Sequence, residues 1–196
     1  MALNYLAHIY LSFDNKPRAI GNFIADAVKG KRYLEYPEEI QKGIQMHRAI
    51  DTFTDQHEAF KKSKQKLFSI YSHYSAVIVD IFYDHFLAKN WNKYHDKSLL
   101  KFTTAFYTSL SLHSDLLPEK ICKMMPHMIE QNWLYNYQYI EGIQRVLEGM
   151  NRRTKGKSNM HLATNELLQY YSDFENEFFV CFNDVTLYTK DLTNTF

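Results

Sequence analysis

The stretch GIQMHRAIDTFTDQHEAF, residues 43–60, decides how the rest of the chain is read. Ile40, Ile44 and Ile50 recur at helical spacing, and His47 and Asp51 fall on the same apolar side. At about 100° per residue, Asp51 projects about 40° from His47 and Asp55 about 80°, so the three form a row along one side of the helix. A carboxylate turned toward a core is costly unless a cation, hydrogen-bond donors or a metal ion compensates it. Two readings follow: an ion pair with Arg48 or a neighbouring helix beside a satisfied core histidine, or a row of ligands.

Outward from that helix the pattern stays helical. Glycine (6) and proline (4) are scarce in the 196 residues, no alternating apolar–polar run stands out, and apolar residues recur three and four apart. This predicts an all-α, single-domain helical bundle over 1–196, with helices at roughly 2–13, 21–29, 37–58, 63–90, 98–112, 118–150 and 160–182. A break is expected at Pro126, a loop at 151–159, and a loosely held polar tail at 183–196. Leu67, Tyr71, Tyr74, Ile78, Ile81 and His85 define one buried stripe, with Trp91 past its end.

The totals remove several function classes. Lys plus Arg number 23 against 22 Asp plus Glu, so nothing chain-wide favours nucleic acid or an anionic membrane. There is no membrane-length apolar run and no signal-peptide pattern at the start. Cys122 and Cys181 lack metal-type spacing and read as buried free thiols, which makes cytoplasm the expected compartment. Oligomeric state is not legible.

Further polar groups sit in apolar helical contexts. VDIFYDHFL places Asp80 and Asp84 one turn apart, with His85 inside the apolar stripe; Asp80 reads as an exposed helix carboxylate. Adjacent Asp84 and His85 point about 100° apart, so both reach one ion only in a crevice between helices. Asn4 and His8 share a face, as do Asn22 and Asp26. His57, His73, His95, His113, His127 and His161 lack such partners and read as surface or packing residues. One shared metal would satisfy several buried polar groups at once, and an imidazole–carboxylate set without thiolate suits Mn²⁺, Fe²⁺, Mg²⁺ or Zn²⁺ in an open hydrolytic site. No nucleophile elbow, glycine-rich phosphate loop or CxxC occurs.

The motifs NYLAH (4–8), GNFIADAVKGK (21–31), GIQMHRAIDTFTD (43–55), DIFYDHFL (80–87) with Trp91, the pair Trp133 and Tyr137, and GMNRR (149–153) together resemble the acyl carrier protein phosphodiesterase family, a non-standard branch of the HD-type metal-dependent phosphohydrolases. The resemblance implies an HD-domain-like helical fold and hydrolysis of the phosphodiester joining 4′-phosphopantetheine to a serine of acyl carrier protein, with a divalent metal, typically Mn²⁺. It makes His8, Asp26, His47, Asp51, Asp84 and His85 the expected metal-binding set, with Asp26, His47 and Asp51 also catalytic. Arg48, Lys29 and Arg153 are candidates for the phosphate oxygens. The basic runs at 29–32, 61–66 and 152–157 offer a docking rim for an acidic carrier, and ordinary solvated helix faces explain them as well. Two alternatives remain open from the residues alone: a metal-dependent phosphohydrolase acting on a nucleotide or other small phosphoester, and a non-enzymatic binding protein with a structural polar core.

Overall fold

A computed structural model describes residues 5–196. The chain is all-α: among the described residues there is no strand, and the helices are α1 (Tyr5–Tyr10), α2 (Lys16–Ile24), α3 (Glu38–Gln56), α4 (Glu58–Tyr71), α5 (Ser75–Lys89), α6 (Leu99–Leu112), α7 (Glu119–Glu130), α8 (Trp133–Asn136), α9 (Ile140–Arg153), α10 (Thr164–Gln169) and α11 (Tyr171–Thr193). Asn4, expected to share a face with His8, lies outside the described residues. Among the described residues no helix is long and apolar enough to cross a membrane.

The bundle is built around α5. Ile78, Val79, Phe82, Phe86 and Leu87 are fully buried although they point to different sides of that helix, so α5 has no solvent face of its own. Burying each such side chain contributes about 1.5–3 kcal/mol. α1, α4, α9 and α11 pack around it.

The opening helix, α3, is joined closely to α2. A Cβ on Gly21 would lie 2.1 Å from the Ile40 carbonyl oxygen, and one on Gly43 would lie 2.2 Å from the Arg18 carbonyl oxygen. Only glycine at both crossings lets the two backbones approach so nearly. This contact sets α2, and the short 3₁₀ turn Ala25–Ala27 after it, against the face of α3 that carries His47 and Asp51.

Several expected boundaries move. The single helix expected over 63–90 is two helices, α4 and α5, separated at Ser72, whose backbone sits at φ 49°. The apolar period runs across this break, with Leu67 and Tyr71 buried on α4 and Ile78, Ile81 and His85 buried on α5. Pro126 lies inside α7 without ending it, and the chain turns instead at Asn132, in the left-handed region at φ 46°. Residues 183–193, expected as part of a loose tail, are the last turns of α11: Cys181, Phe182, Val185 and Thr189 continue a buried stripe at helical spacing. Cys122 and Cys181 are free thiols, and Cys181 is buried, as expected; Cys122 is only half-buried.

Candidate functional site

Three helices bring the site together. His8 comes from α1, His47 and Asp51 from α3, and Asp26 from the 3₁₀ turn behind α2. The imidazoles of His8 and His47 stack with ring centroids 4.0 Å apart and planes 24° apart. Asp51 reaches both rings: its Oδ1 lies 3.2 Å from His8 Nε2, and its Oδ2 lies 3.2 Å from His47 Nε2. Asp26 Oδ1 lies 3.5 Å from His47 Nε2. The row inferred from the i, i+4 spacing of His47 and Asp51 is therefore real, and it is met from outside by His8.

These contacts are electrostatic rather than aligned hydrogen bonds. Both ring nitrogens of His8, both of His47, and Oδ2 of Asp26 are buried without a hydrogen-bond partner among the described residues. Buried polar atoms in a folded protein are nearly always satisfied, so several orphans converging in one place point to a missing ligand. Ligand atoms of His8, His47 and Asp51 lie within 4.8 Å of one another, a group that can hold a metal ion. Nitrogen and oxygen donors without thiolate fit Mn²⁺, Mg²⁺ or Fe²⁺.

The electrostatics agree with a site that needs a cation. Burial lowers the His47 pKa, but the facing carboxylates of Asp26 and Asp51 outweigh that and bring it to about 9. Burial, and then the charge on His47, lowers His8 below its ordinary value, as two stacked rings cannot both hold a proton cheaply. Burial raises Asp51, yet the imidazoles of His47 and His8 prevail and hold its carboxyl far below the usual range.

Asp84 and His85, expected as ligands, are engaged elsewhere. Asp84 is fully buried, and its two carboxylate oxygens accept from the backbone amides of Leu6 (2.9 Å) and Ala7 (2.8 Å). It thereby caps the first turn of α1, the helix that presents His8. Burial pushes its pKa up to about 8 against the pull of those two amides. His85 has both ring nitrogens committed, Nδ1 at 2.8 Å from the Tyr137 carbonyl oxygen and Nε2 at 2.8 Å from the Tyr171 hydroxyl. The two adjacent side chains diverge, as expected, but into different neighbours instead of one crevice.

The phosphate candidates also separate. Arg48 donates to the carbonyl oxygens of Val28 (3.0 Å) and Gly30 (2.9 Å) and lies over the Tyr33 ring, so it clamps the segment after Asp26. Lys29 is exposed. Arg153, at the end of α9, lines a cleft of about 380 Å³ together with Asp51, Asp55, His73, Asp80 and Met150. Asp51 belongs both to this cleft and to the cluster.

Asp80 is the residue that sequence reasoning missed. Expected as exposed, it is 8 % exposed, and among the described residues it has no hydrogen bond or ion pair. The i, i+4 pairing with Asp84 was visible; the burial of every side of α5 was not.

The chain matches the sequence pattern of the family described as acyl carrier protein phosphodiesterase over residues 3–185. Among curated proteins it is 32% identical to an acyl carrier protein phosphodiesterase of Photorhabdus laumondii, covering 88% of this chain and 88% of that one. It is 30% identical to one of Yersinia enterocolitica and 29% identical to one of Yersinia pestis, each match covering 90% of this chain and 92% of the relative. No solved structure matches it. With the family's pattern running through all the helices that build the cluster, the chain belongs to the acyl carrier protein phosphodiesterase family.

Proposed function

We propose that this chain is a metal-dependent hydrolase of the HD-like kind that cleaves the phosphodiester between 4′-phosphopantetheine and a serine of holo acyl carrier protein. The observation that carries the reading is the stacked, orphaned pair His8 and His47 against Asp51, in a chain of this family. His8, His47 and Asp51 would hold the ion, with Asp26 beside them. When bound, a divalent ion, of which Mn²⁺ is the expected one, supplies positive charge to the phosphoryl oxygens and makes water acidic enough to attack near neutral pH.

The chain's own groups do the rest. Asp26, whose Oδ2 has no hydrogen-bond partner among the described residues, would orient the attacking water and take its proton. Arg153 faces the cleft and can bind a nonbridging phosphate oxygen. The exposed run that begins at Arg152 and continues through Lys155 and Lys157 leads outward from the same cleft, where an acidic carrier would dock. The runs at 29–32 and 61–66 support this less, since Lys61 pairs with Glu58 and Lys66 with Glu177.

The test is incubation of the purified protein and Mn²⁺ with holo acyl carrier protein, followed by mass spectrometry of the carrier. Loss of the phosphopantetheine mass is the expected result. Carrier that stays holo with carriers from several bacteria, while the protein holds its metal, overturns the proposal.

A further inference from the structure

α9 has a face that the reading above leaves unused. Its sequence IEGIQRVLEGMNRR turns Ile143 and Leu147 into the core, while Gly142, Arg145, Gly149 and Arg152 follow one another three or four residues apart on another side. With Trp133 and Asn136 of α8, that side lines a groove of about 700 Å³, against about 380 Å³ for the cleft at Asp51. The backbone sets its floor: a Cβ on Gly142 would lie 1.9 Å from the Asn136 carbonyl oxygen, so α8 and α9 touch main chain to main chain. Gly149 is the opposite case. A Cβ there would meet only the Arg152 guanidinium, at 3.7 Å, so this glycine leaves space that a larger side chain would fill.

Met150 and Arg153 line both the groove and the cleft, so the two hollows adjoin, but their charges differ. The groove carries Arg145, Arg152 and Arg153, all exposed, and among the described residues none of the three guanidinium groups has a hydrogen bond or an ion pair. Its one carboxylate, Glu148, accepts from the Gln144 amide at 3.0 Å. The cleft is lined by three aspartates, Asp51, Asp55 and Asp80, with Arg153 as its one arginine. A phosphodiester has two arms, which here are a neutral chain of amides and an acidic protein. An acidic surface is repelled by a wall of aspartates and drawn to unpaired arginines, whereas a neutral arm is indifferent to both.

We propose that the groove between α8 and α9 seats the acidic surface of the carrier beside its serine, with Arg145 and Arg152 meeting carboxylates there, and that the pantetheine arm runs the other way, into the cleft. The inference rests on the phosphodiesterase reading. It extends the docking surface from the exposed run after Arg152 back along α9 to α8, and it puts the phosphodiester at Arg153, where the two hollows adjoin. Trp133, half-buried in the groove with its indole N–H given to the Gln131 side-chain oxygen at 3.0 Å, supplies the rigid apolar contact around which such interfaces are built.

Steady-state kinetics and competition test this in the Mn²⁺-loaded full chain. Arg145→Glu is expected to raise KM for holo carrier by about tenfold, with kcat and metal content close to those of the wild type. Arg145→Lys, which keeps the charge and loses the planar fork, should fall between the two. Gly149→Phe fills the groove and should raise KM at least as much as Arg145→Glu. Apo carrier, which has the protein surface without the arm, should inhibit the wild type competitively and inhibit Arg145→Glu and Gly149→Phe about tenfold more weakly. Free 4′-phosphopantetheine, which has the arm alone, should act alike on all three. A weaker effect of free 4′-phosphopantetheine on Gly149→Phe would put the arm in the groove and overturn the assignment. So would an unchanged KM in Arg145→Glu, a loss expressed in kcat or metal content instead of KM, or apo carrier that does not inhibit the wild type. If Gly149→Phe does not fold, Arg145→Glu, a change at an exposed side chain, decides the matter. A wild-type chain that leaves holo carrier intact overturns the phosphodiesterase reading itself, whereas an active wild type with variants of unchanged KM overturns the groove alone.

Discussion

Among the described residues, two clusters of buried and half-buried polar side chains are finished differently. Between α4, α5 and α11, the Ser63 hydroxyl donates to Glu177 at 2.5 Å and meets the Tyr83 hydroxyl at 2.9 Å, while the Lys66 ammonium pairs with the other oxygen of Glu177. Each charge there has a counter-charge and each hydroxyl a partner. Between α1, α2 and α3, His8 and His47 stack without one aligned hydrogen bond. The first arrangement is what a protein does when polar groups serve the fold. The second leaves its donors pointed at a place the chain itself does not fill, and this difference marks the site more clearly than residue type does, since both clusters contain carboxylates.

Exchanging variants between the clusters should separate function from stability. Asp51→Ala is expected to abolish metal binding, read by elemental analysis, and to lower carrier hydrolysis by at least about 10³-fold, the equivalent of several kcal/mol of lost charge stabilisation. Its metal-free stability in urea should also fall near neutral pH, by the lost pairing with the His47 imidazolium, because Asp51 is one of the carboxylates that hold that proton. Retained metal with wild-type turnover would erase the distinction between the clusters.

Glu177→Ala should cost stability alone. It leaves Lys66 and Ser63 without their partner, and a stability loss of about 1–3 kcal/mol is expected in urea denaturation, with metal content unchanged. A change in metal content here would mean that the two clusters are not independent.

The pH response of metal affinity belongs to the first cluster. His47 holds its proton up to about 9, and the ion must displace that proton, so apparent metal affinity should rise by up to about tenfold per pH unit below pH 9 and then level off. Because the folded chain binds this proton more tightly than the unfolded chain does, the metal-free protein should lose stability as the pH rises from about 6.5 to about 9. Calorimetric titration with Mn²⁺ and thermal melts of the metal-free form check the two directions, and a pH-independent affinity would contradict the His47 assignment.

The smallest effect is expected at His85. His85→Phe removes hydrogen bonds to Tyr137 and Tyr171, a loss of about 1 kcal/mol, and should leave metal content and turnover near those of the wild type. Loss of metal would return His85 to the ligand set.

What could be read in advance follows from where each residue's neighbours come from. His47 and Asp51 were legible because one turn of one helix places them together, and GNFIAD gave Asp26 by the same rule. The meeting of His8 with them was visible only through the family resemblance, since three helices must first pack. Periodicity failed where packing overrides it. α5 is buried on all sides, so a rule that sends an apolar stripe inward and a carboxylate outward placed Asp80 in solvent. Adjacent Asp84 and His85 looked like a ligand pair, but the amides of α1 and the Tyr137 carbonyl decided their use. The end of α11 looked loose by polarity, although its buried residues kept the helical interval.

Asp84 also bears on how the protein gains and loses its ion. α1 has six residues, too few to hold a helical form by themselves in water. It is anchored at one end by the Asp84 carboxylate, and an ion at His8 would fasten the other. Emptying the centre should therefore first loosen this peg, so that amide hydrogen exchange at Leu6, Ala7 and His8 becomes a gauge of metal loading while the rest of the bundle stays closed.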